Sequence, residues 1–170
     1  MGLIKRVDQL NRGVEYTLAL MLAIMAVVVL IQVLVRFVFE QFSVPWSEEV
    51  AKYLMIWLTF LGGAVAVRKG KLIAIDSMVL LLPERAGKAL KWVAHLLSLV
   101  FYALLVWIGW EWFVFGLSET APVMKISKAY VYAAMFLGSA LMVINTMAYL
   151  WEVVVLKTDI RGFDTEDIEL

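Results

Sequence analysis

Four long apolar runs constrain the fold of this chain more than any other feature of its sequence. The first extends from Leu18 to Val35 with Gln32 as its only polar side chain, and the fourth extends from Ala129 to Trp151 without a formal charge. A helix needs about 20 mostly apolar residues to cross the hydrocarbon core of a bilayer, which is about 30 Å thick. The sequence therefore predicts an all-α integral membrane protein with four transmembrane helices, over residues 16–37, 46–67, 91–113 and 129–151.

The composition argues against other classes of protein. Apolar residues make up 64% of the 170 residues and charged residues 18%, so the chain has too few polar groups to cover a water-soluble domain. Its 15 basic and 15 acidic residues give no bulk charge for binding nucleic acid. The chain has no cysteine and one histidine, His95, to which we assign a packing role. We therefore expect no enzymatic activity, no cofactor and no metal site.

The distribution of basic residues predicts the orientation in the membrane. Eleven of the lysines and arginines fall on the side that carries the two chain ends, and four fall on the other side. Because loops rich in lysine and arginine stay in the cytoplasm, both termini are predicted to be cytoplasmic. The tryptophans agree with this topology, with Trp46, Trp110 and Trp112 at the outer interface and Trp92 and Trp151 at the inner one.

The segments between the runs differ in character. Residues 72–82 are mostly apolar, too short to span, and flanked by basic residues, which favours an amphipathic helix in the inner interface; a loop buried loosely against the bundle is the alternative. Residues 116–128 are polar and carry Pro122, so they should form an outer loop or turn. The tail, 157–170, is acidic and should lie in the cytoplasm.

The start of the second run gathers polar residues at the outer interface. Ser47 is a plausible N-cap of the helix, and Glu48 and Glu49 suit the positive end of its dipole. Lys52 follows at spacings of four and three, so an intrahelical ion pair with either glutamate is possible. No chain of carboxylates crosses the apolar runs, which argues against a pump or secondary transporter and favours an accessory subunit.

Small residues recur four apart in two of the runs, at 62–66 and at 134–138. Such spacing lets helix backbones approach closely in lipid. The contact could lie within this chain or with another membrane subunit, and spacing alone leaves both open.

Three stretches carry a resemblance to a known family. They are Trp46-Ser47-Glu48-Glu49, then Trp57-Leu58-Thr59-Phe60-Leu61-Gly62, then Arg68-Lys69-Gly70-Lys71-Leu72-Ile73-Ala74-Ile75-Asp76. In their order and spacing, and in the later region around Pro122 and Gly138, the chain resembles the small (DctQ-like) permease subunit of tripartite ATP-independent periplasmic (TRAP) transporters. It departs from the family at Leu72, where a histidine is frequent, so no role of that histidine carries over.

The resemblance implies a subunit of the bacterial inner membrane that forms a stable heterodimer with a large permease subunit. The large subunit would take up an organic acid, such as sialic acid or a C4-dicarboxylate, by sodium symport. A periplasmic substrate-binding protein would deliver that acid and bind transiently, with the outer elements 36–49 and 116–128 helping to receive it. A stand-alone four-helix exporter or channel is the alternative.

Ten residues are candidates for a partner interface or a structural role. They are Arg36, Trp46, Glu48, Glu49, Lys52, Trp57, Gly62, Gly63, Asp76 and Gly138.

Overall fold

A computed structural model describes residues 2–38, 45–70, 82–156 and 160. These residues form four helices, α1 (Gly2–Val38), α2 (Pro45–Arg68), α3 (Glu84–Gly116) and α4 (Ala129–Leu156). Each is long and apolar enough to cross a membrane, which confirms the prediction of four transmembrane helices. Within the described ranges the extended structure is limited to one isolated bridge between Thr120 and Ser127.

Two helices are much longer than the apolar runs that predicted them. α1 begins at Gly2 rather than near residue 16, and α3 begins at Glu84 rather than at 91. At 1.5 Å per residue, the 37 residues of α1 extend over about 55 Å, well beyond the hydrocarbon core. The charged flanks of both spans therefore continue as helix outside the apolar layer, where hydrophobicity gives no signal of their structure.

The predicted N-cap at Ser47 is wrong. α2 begins two residues earlier, at Pro45, and Ser47 is fully buried within the first turn. Proline is favoured at the first position of a helix because its fixed φ suits the helix and its missing N–H would have no partner there.

Several predictions fall outside the described residues. They concern Asp76, the interfacial segment 72–82 except for its last residue, and the acidic tail 157–170 except for Ile160.

The helices form a row rather than a closed bundle. α4 lies in the middle, with α3 on one side and α2 on the other, and α1 packs on α2 with only a narrow contact to α4. Half of the most apolar stretch of α4 is buried accordingly, whereas none of the corresponding stretch of α1 is. A row leaves broad apolar surfaces on its outer helices, and these face lipid or another protein.

Two glycines of α3 and α4 set how closely the neighbouring helices approach. A Cβ on Gly138 would lie 2.5 Å from Cβ of Phe60 on α2, and one on Gly109 of α3 would lie 2.9 Å from the backbone nitrogen of Phe136 on α4. Gly63 faces the side chain of Met142, so the small residues on α2 and α4 serve packing within this chain at these positions. Gly62 instead faces open space, with no atom within 4 Å of an added Cβ.

Candidate functional site

The strongest polar contact between helices lies at the C-terminal end of α2. Arg68 donates two hydrogen bonds to the carboxylate of Glu152 on α4, at 2.5 and 2.8 Å, and one from Nε to Asp8 on α1, at 2.8 Å. The side chains of Arg68 and Glu152 are only 6% and 5% exposed, whereas that of Asp8 is 45% exposed. A bidentate guanidinium–carboxylate pair fixes both distance and orientation. Arg68 therefore ties three helices together at one level.

Two asparagines form a second contact near this ion pair. The amide groups of Asn11 on α1 and Asn145 on α4 exchange hydrogen bonds of 2.8 Å in both directions, and Asn145 also donates to the carbonyl of Ala64 on α2 at 2.7 Å. Asn145 is fully buried, so these hydrogen bonds join α4 to α1 and α2 away from solvent. At the edge of the same region, Lys69 forms an exposed ion pair with Glu15 at 3.0 Å.

We call these residues the inner polar cluster: Asp8, Asn11, Glu15, Arg68, Lys69, Asn145 and Glu152. Every buried side-chain nitrogen and oxygen atom that the structure describes has a hydrogen-bond partner. The polar groups of the cluster are thus used in holding helices to each other.

Sequence reasoning missed most of this cluster. It used Arg68 as a charge for orientation and as part of the family resemblance, not as a partner of another helix, and it ended the fourth span one residue before Glu152. One signal was available, because Asn145 and Glu152 are seven residues apart and so lie on one face of a helix. The pairing of Arg68 with Glu152, 84 residues away, had no local signal.

The N-terminal end of α2, which the sequence predicts to be its outer end, carries a second set of polar contacts. Glu49 is 8% exposed and accepts hydrogen bonds from the hydroxyl of Tyr53 at 2.7 Å and from the backbone N–H of Met124 at 2.8 Å. Glu48 pairs with Lys52 at 2.7 Å, and both of these side chains are exposed. The predicted intrahelical pair is therefore present with Glu48, whereas Glu49 joins α2 to the loop between α3 and α4.

The loop 117–128 is folded back on itself, as the sequence predicted for this outer connection. Ala121 and Ile126 share a backbone hydrogen bond of 2.8 Å, and Lys125 at the turn has a positive φ of 58°. Lys128 donates a hydrogen bond of 3.0 Å to Glu119, and this contact with a carboxylate raises the pKa of Lys128 above its usual value. Lys128 therefore stays protonated at neutral pH.

The other candidates divide between packing and exposed surface. Trp57 donates a hydrogen bond of 3.1 Å from its indole nitrogen to the carbonyl of Tyr130, so it links α2 to the start of α4. Arg36 and Trp46 are exposed at the end of the protein that the sequence predicts to face outward, and Arg36 lies within electrostatic range of Glu48. His95 stacks on Tyr149 with the ring planes 3° apart, which agrees with the packing role assigned to it.

Within residues 2–38, 45–70 and 82–156, no three His, Asp or Glu side chains are grouped to hold a metal ion. The described polar groups hold helices and a loop in place, and large apolar side chains cover much of the outer surface of α1 and α3.

The fold and these contacts define a multi-pass membrane protein whose polar residues serve the assembly of its own helices. The sequence profile of the family described as "Tripartite ATP-independent periplasmic transporters, DctQ component" matches residues 25–156. The chain therefore belongs to the DctQ family of TRAP transporter small permease subunits, as its resemblance implied.

Three relatives agree with this assignment. One is a protein of Haemophilus influenzae named as a TRAP transporter small permease protein; it is 26% identical over 132 residues, which cover 78% of this chain and 81% of the relative. Another is the C4-dicarboxylate TRAP transporter small permease protein DctQ of Vibrio cholerae, 23% identical over 189 aligned positions, which cover 95% of this chain and 81% of that one. Both correspond to most of the present chain.

The third relative is much longer. It is the sialic acid TRAP transporter permease protein SiaT of Haemophilus influenzae, 32% identical over 108 residues, which cover 64% of this chain but only 17% of SiaT.

Family membership and the four apolar helices identify the chain as a multi-pass protein of the inner membrane and a component of a transport system. The family context also implies a large permease and a binding protein as partners.

Proposed function

We propose that this chain braces a separate large permease subunit and takes no direct part in moving the solute. The large subunit would carry out sodium-coupled uptake of an organic acid that a periplasmic binding protein delivers. The observation that carries this proposal is the row of helices, whose polar groups bond to each other while its outer faces remain apolar.

The use of the polar groups supports an accessory role. Sites for ions and polar solutes in transporters combine interrupted helices with polar groups near the middle of the membrane. Here α2 and α4 run as unbroken helices, and the ion pairs of Glu48 with Lys52 and of Arg68 with Glu152 lie toward the helix ends. The buried ion pair of Arg68 and Glu152 is fully engaged within the chain. The substrate and sodium sites are therefore assigned to the large subunit.

The apolar outer surface supports a large membrane partner. Leu20, Val27 and Leu34 on α1 are more than half exposed, as are Leu97 and Trp107 on α3. In the SiaT relative, the part that resembles this chain is a small fraction of a longer permease chain. That arrangement is consistent with a four-helix unit that sits beside a larger permease, here as a separate subunit in a stable heterodimer.

The substrate class rests on the relatives. Sialic acid and C4-dicarboxylate, which appear in the names of two of them, are both organic acids. We extend that class to the transporter of this chain, with selectivity assigned to the partner proteins.

The test is co-purification from cells that express the chain with the large permease of the same transporter. The tagged chain should retain the large permease through purification in mild detergent. An unrelated membrane protein with the same tag should not retain it. Isolation of this chain only as a monomer or homodimer would contradict the proposal.

The outer end of α2 is proposed as part of the surface that receives the binding protein. Trp46 and the ion pair of Glu48 with Lys52 are exposed there, next to the loop that Glu49 holds. The pair can be reversed by the exchange Glu48→Lys with Lys52→Glu, which keeps an intrahelical pair but inverts its direction.

A matched control exists at the other end of the protein, where Glu84 and Lys88 form an exposed pair with the same spacing and the same distance of 2.7 Å. Exchange of the outer pair should reduce uptake that depends on the binding protein, and exchange of the inner pair should not. Equal uptake in both exchanged variants would remove the outer pair from the docking surface.

A further inference from the structure

The side chains of α1 that are shielded from solvent follow a regular spacing. Apart from Asp8 and Glu15, the described positions that are buried or half-buried recur at alternating intervals of three and four residues. They are Ile4, Val7, Asn11, Val14, Leu18, Met21, Met25, Val28, Gln32 and Val35. A spacing of this kind is a heptad pattern, in which one stripe of a helix packs along a neighbouring helix. We call this stripe, which faces α2, the α1 seam.

Hydrophobicity does not explain why this face of α1 is the one that packs. Leu20, Val27 and Leu34, on the opposite side of the helix, are as aliphatic as the seam residues. In lipid there is little gain from burying one apolar face in place of another, because the lipid tails are themselves apolar. A rotation of α1 about its own axis would therefore change the apolar contacts only slightly.

The faces of α1 do differ in their polar contacts with the other helices. Asn11 lies on the seam, is 4% exposed and is the most buried side chain described in α1. It exchanges two hydrogen bonds with Asn145, and Asp8 beside it accepts from Arg68. A rotation of α1 would turn both side chains away from these partners and break the hydrogen bonds, which would leave the fully buried amide of Asn145 with fewer partners at a cost in free energy.

We propose that Asp8 and Asn11 fix the rotation of α1 on α2 and α4, and so determine which apolar face the chain presents outward. The apolar residues of the α1 seam provide contact area but do not select one rotation of the helix about its axis. The two polar side chains select the rotation, because they reach their partners only in that one. This role does not depend on which partner the outward face meets.

Cysteine crosslinking tests the proposal directly, because the chain has no cysteine of its own. Val14 is a seam residue that packs against the core cluster containing Val67 of α2, whereas Tyr16 is 73% exposed. Two residues correspond to about 200° around a helix, so Tyr16 faces almost the opposite way. Oxidative crosslinking in membranes should join Val14→Cys to Val67→Cys at least about tenfold more efficiently than it joins Tyr16→Cys to Val67→Cys.

Loss of the polar contacts should reduce this preference. With Asn11→Leu we expect the ratio of the two crosslinking yields to fall roughly threefold, which corresponds to one interhelical contact of average strength. With Asp8→Leu added, the ratio should fall by roughly tenfold or more. The double variant leaves Arg68 paired with Glu152, so it creates no unpaired buried charge.

Gln9→Leu is the matched control, because it removes an exposed polar side chain from the same turns of α1. It should leave the ratio unchanged. If the double variant fails to accumulate in the membrane, the ratio of crosslinking yields measured with Asn11→Leu alone tests the proposal. An unchanged ratio in Asn11→Leu, or an equal fall in Gln9→Leu, would overturn the proposal.

Discussion

Removal of Glu152 from the ion pair with Arg68 should be among the most destabilising single substitutions in this chain. Glu152→Leu removes the bidentate partner of a guanidinium whose side chain is only 6% exposed, and the carboxylate of Asp8, which still contacts it, is 45% exposed. Removal of one partner of a buried pair typically costs about 3–5 kcal/mol, because the remaining charge stays buried without compensation. Since Asp8 compensates in part, we expect a loss of about 3 kcal/mol in the free energy of unfolding.

The double variant Arg68→Leu with Glu152→Leu should recover most of that loss. Apolar side chains that replace a buried ion pair are often neutral, and the carboxylate of Asp8 can then turn toward solvent. We expect the double variant to lie within about 1 kcal/mol of the unaltered protein. The coupling free energy between the two positions should therefore be about 2 kcal/mol or more.

Reversible unfolding in mixed detergent micelles, followed by circular dichroism, measures these differences. Glu48→Leu is the control, because it breaks an ion pair of the same kind whose side chains are 60% and 63% exposed, and exposed pairs contribute little. The reasoning would be refuted if Glu152→Leu were no more destabilising than Glu48→Leu. It would also be refuted if the effects of Arg68→Leu and Glu152→Leu on the free energy of unfolding were simply additive.

Three further predictions concern packing and topology. Gly138→Ala should destabilise the protein by about 2 kcal/mol, because the new Cβ meets Phe60 at 2.5 Å, whereas Gly62→Ala has open space and should be near neutral; thermal unfolding in detergent compares them. Trp57→Phe should cost about 1 kcal/mol through loss of the hydrogen bond to Tyr130, and the same assay would show no loss if that bond contributed nothing. Two reporter enzymes can be fused to the C-terminus, one that is active only in the cytoplasm and one that is active only in the periplasm. We expect activity from the cytoplasmic reporter alone, and activity of the periplasmic reporter would contradict the predicted orientation.

The existence and approximate position of the four helices could be predicted from the sequence because membrane thickness fixes their length. Both bounds of α2 lie within one residue of the apolar run, and α4 begins at Ala129 as predicted. The early start of α1 and α3 could not be predicted in this way, since their charged first turns lie outside the hydrocarbon core. There helix formation depends on packing and on side-chain pairs.

The order of the helices in the row was harder to predict for a related physical reason. A helix that is apolar on all sides gives little indication of which face packs, so α1 carries few clues to its neighbours. Asn11 and Asn145 are 134 residues apart, so no local pattern in the sequence pairs them. The glutamates at the outer end were identified as a group, whereas their different roles depend on the loop that brings Met124 to Glu49.

Solute uptake by reconstituted liposomes tests the central claim most directly. Liposomes that contain this chain alone should take up no sialic acid or C4-dicarboxylate under an inward sodium gradient. Liposomes that contain this chain and its large permease, supplied with the binding protein, should take up the substrate of that transporter. Uptake by the chain alone would contradict the account, because it would mean that these four helices form a transport pathway of their own.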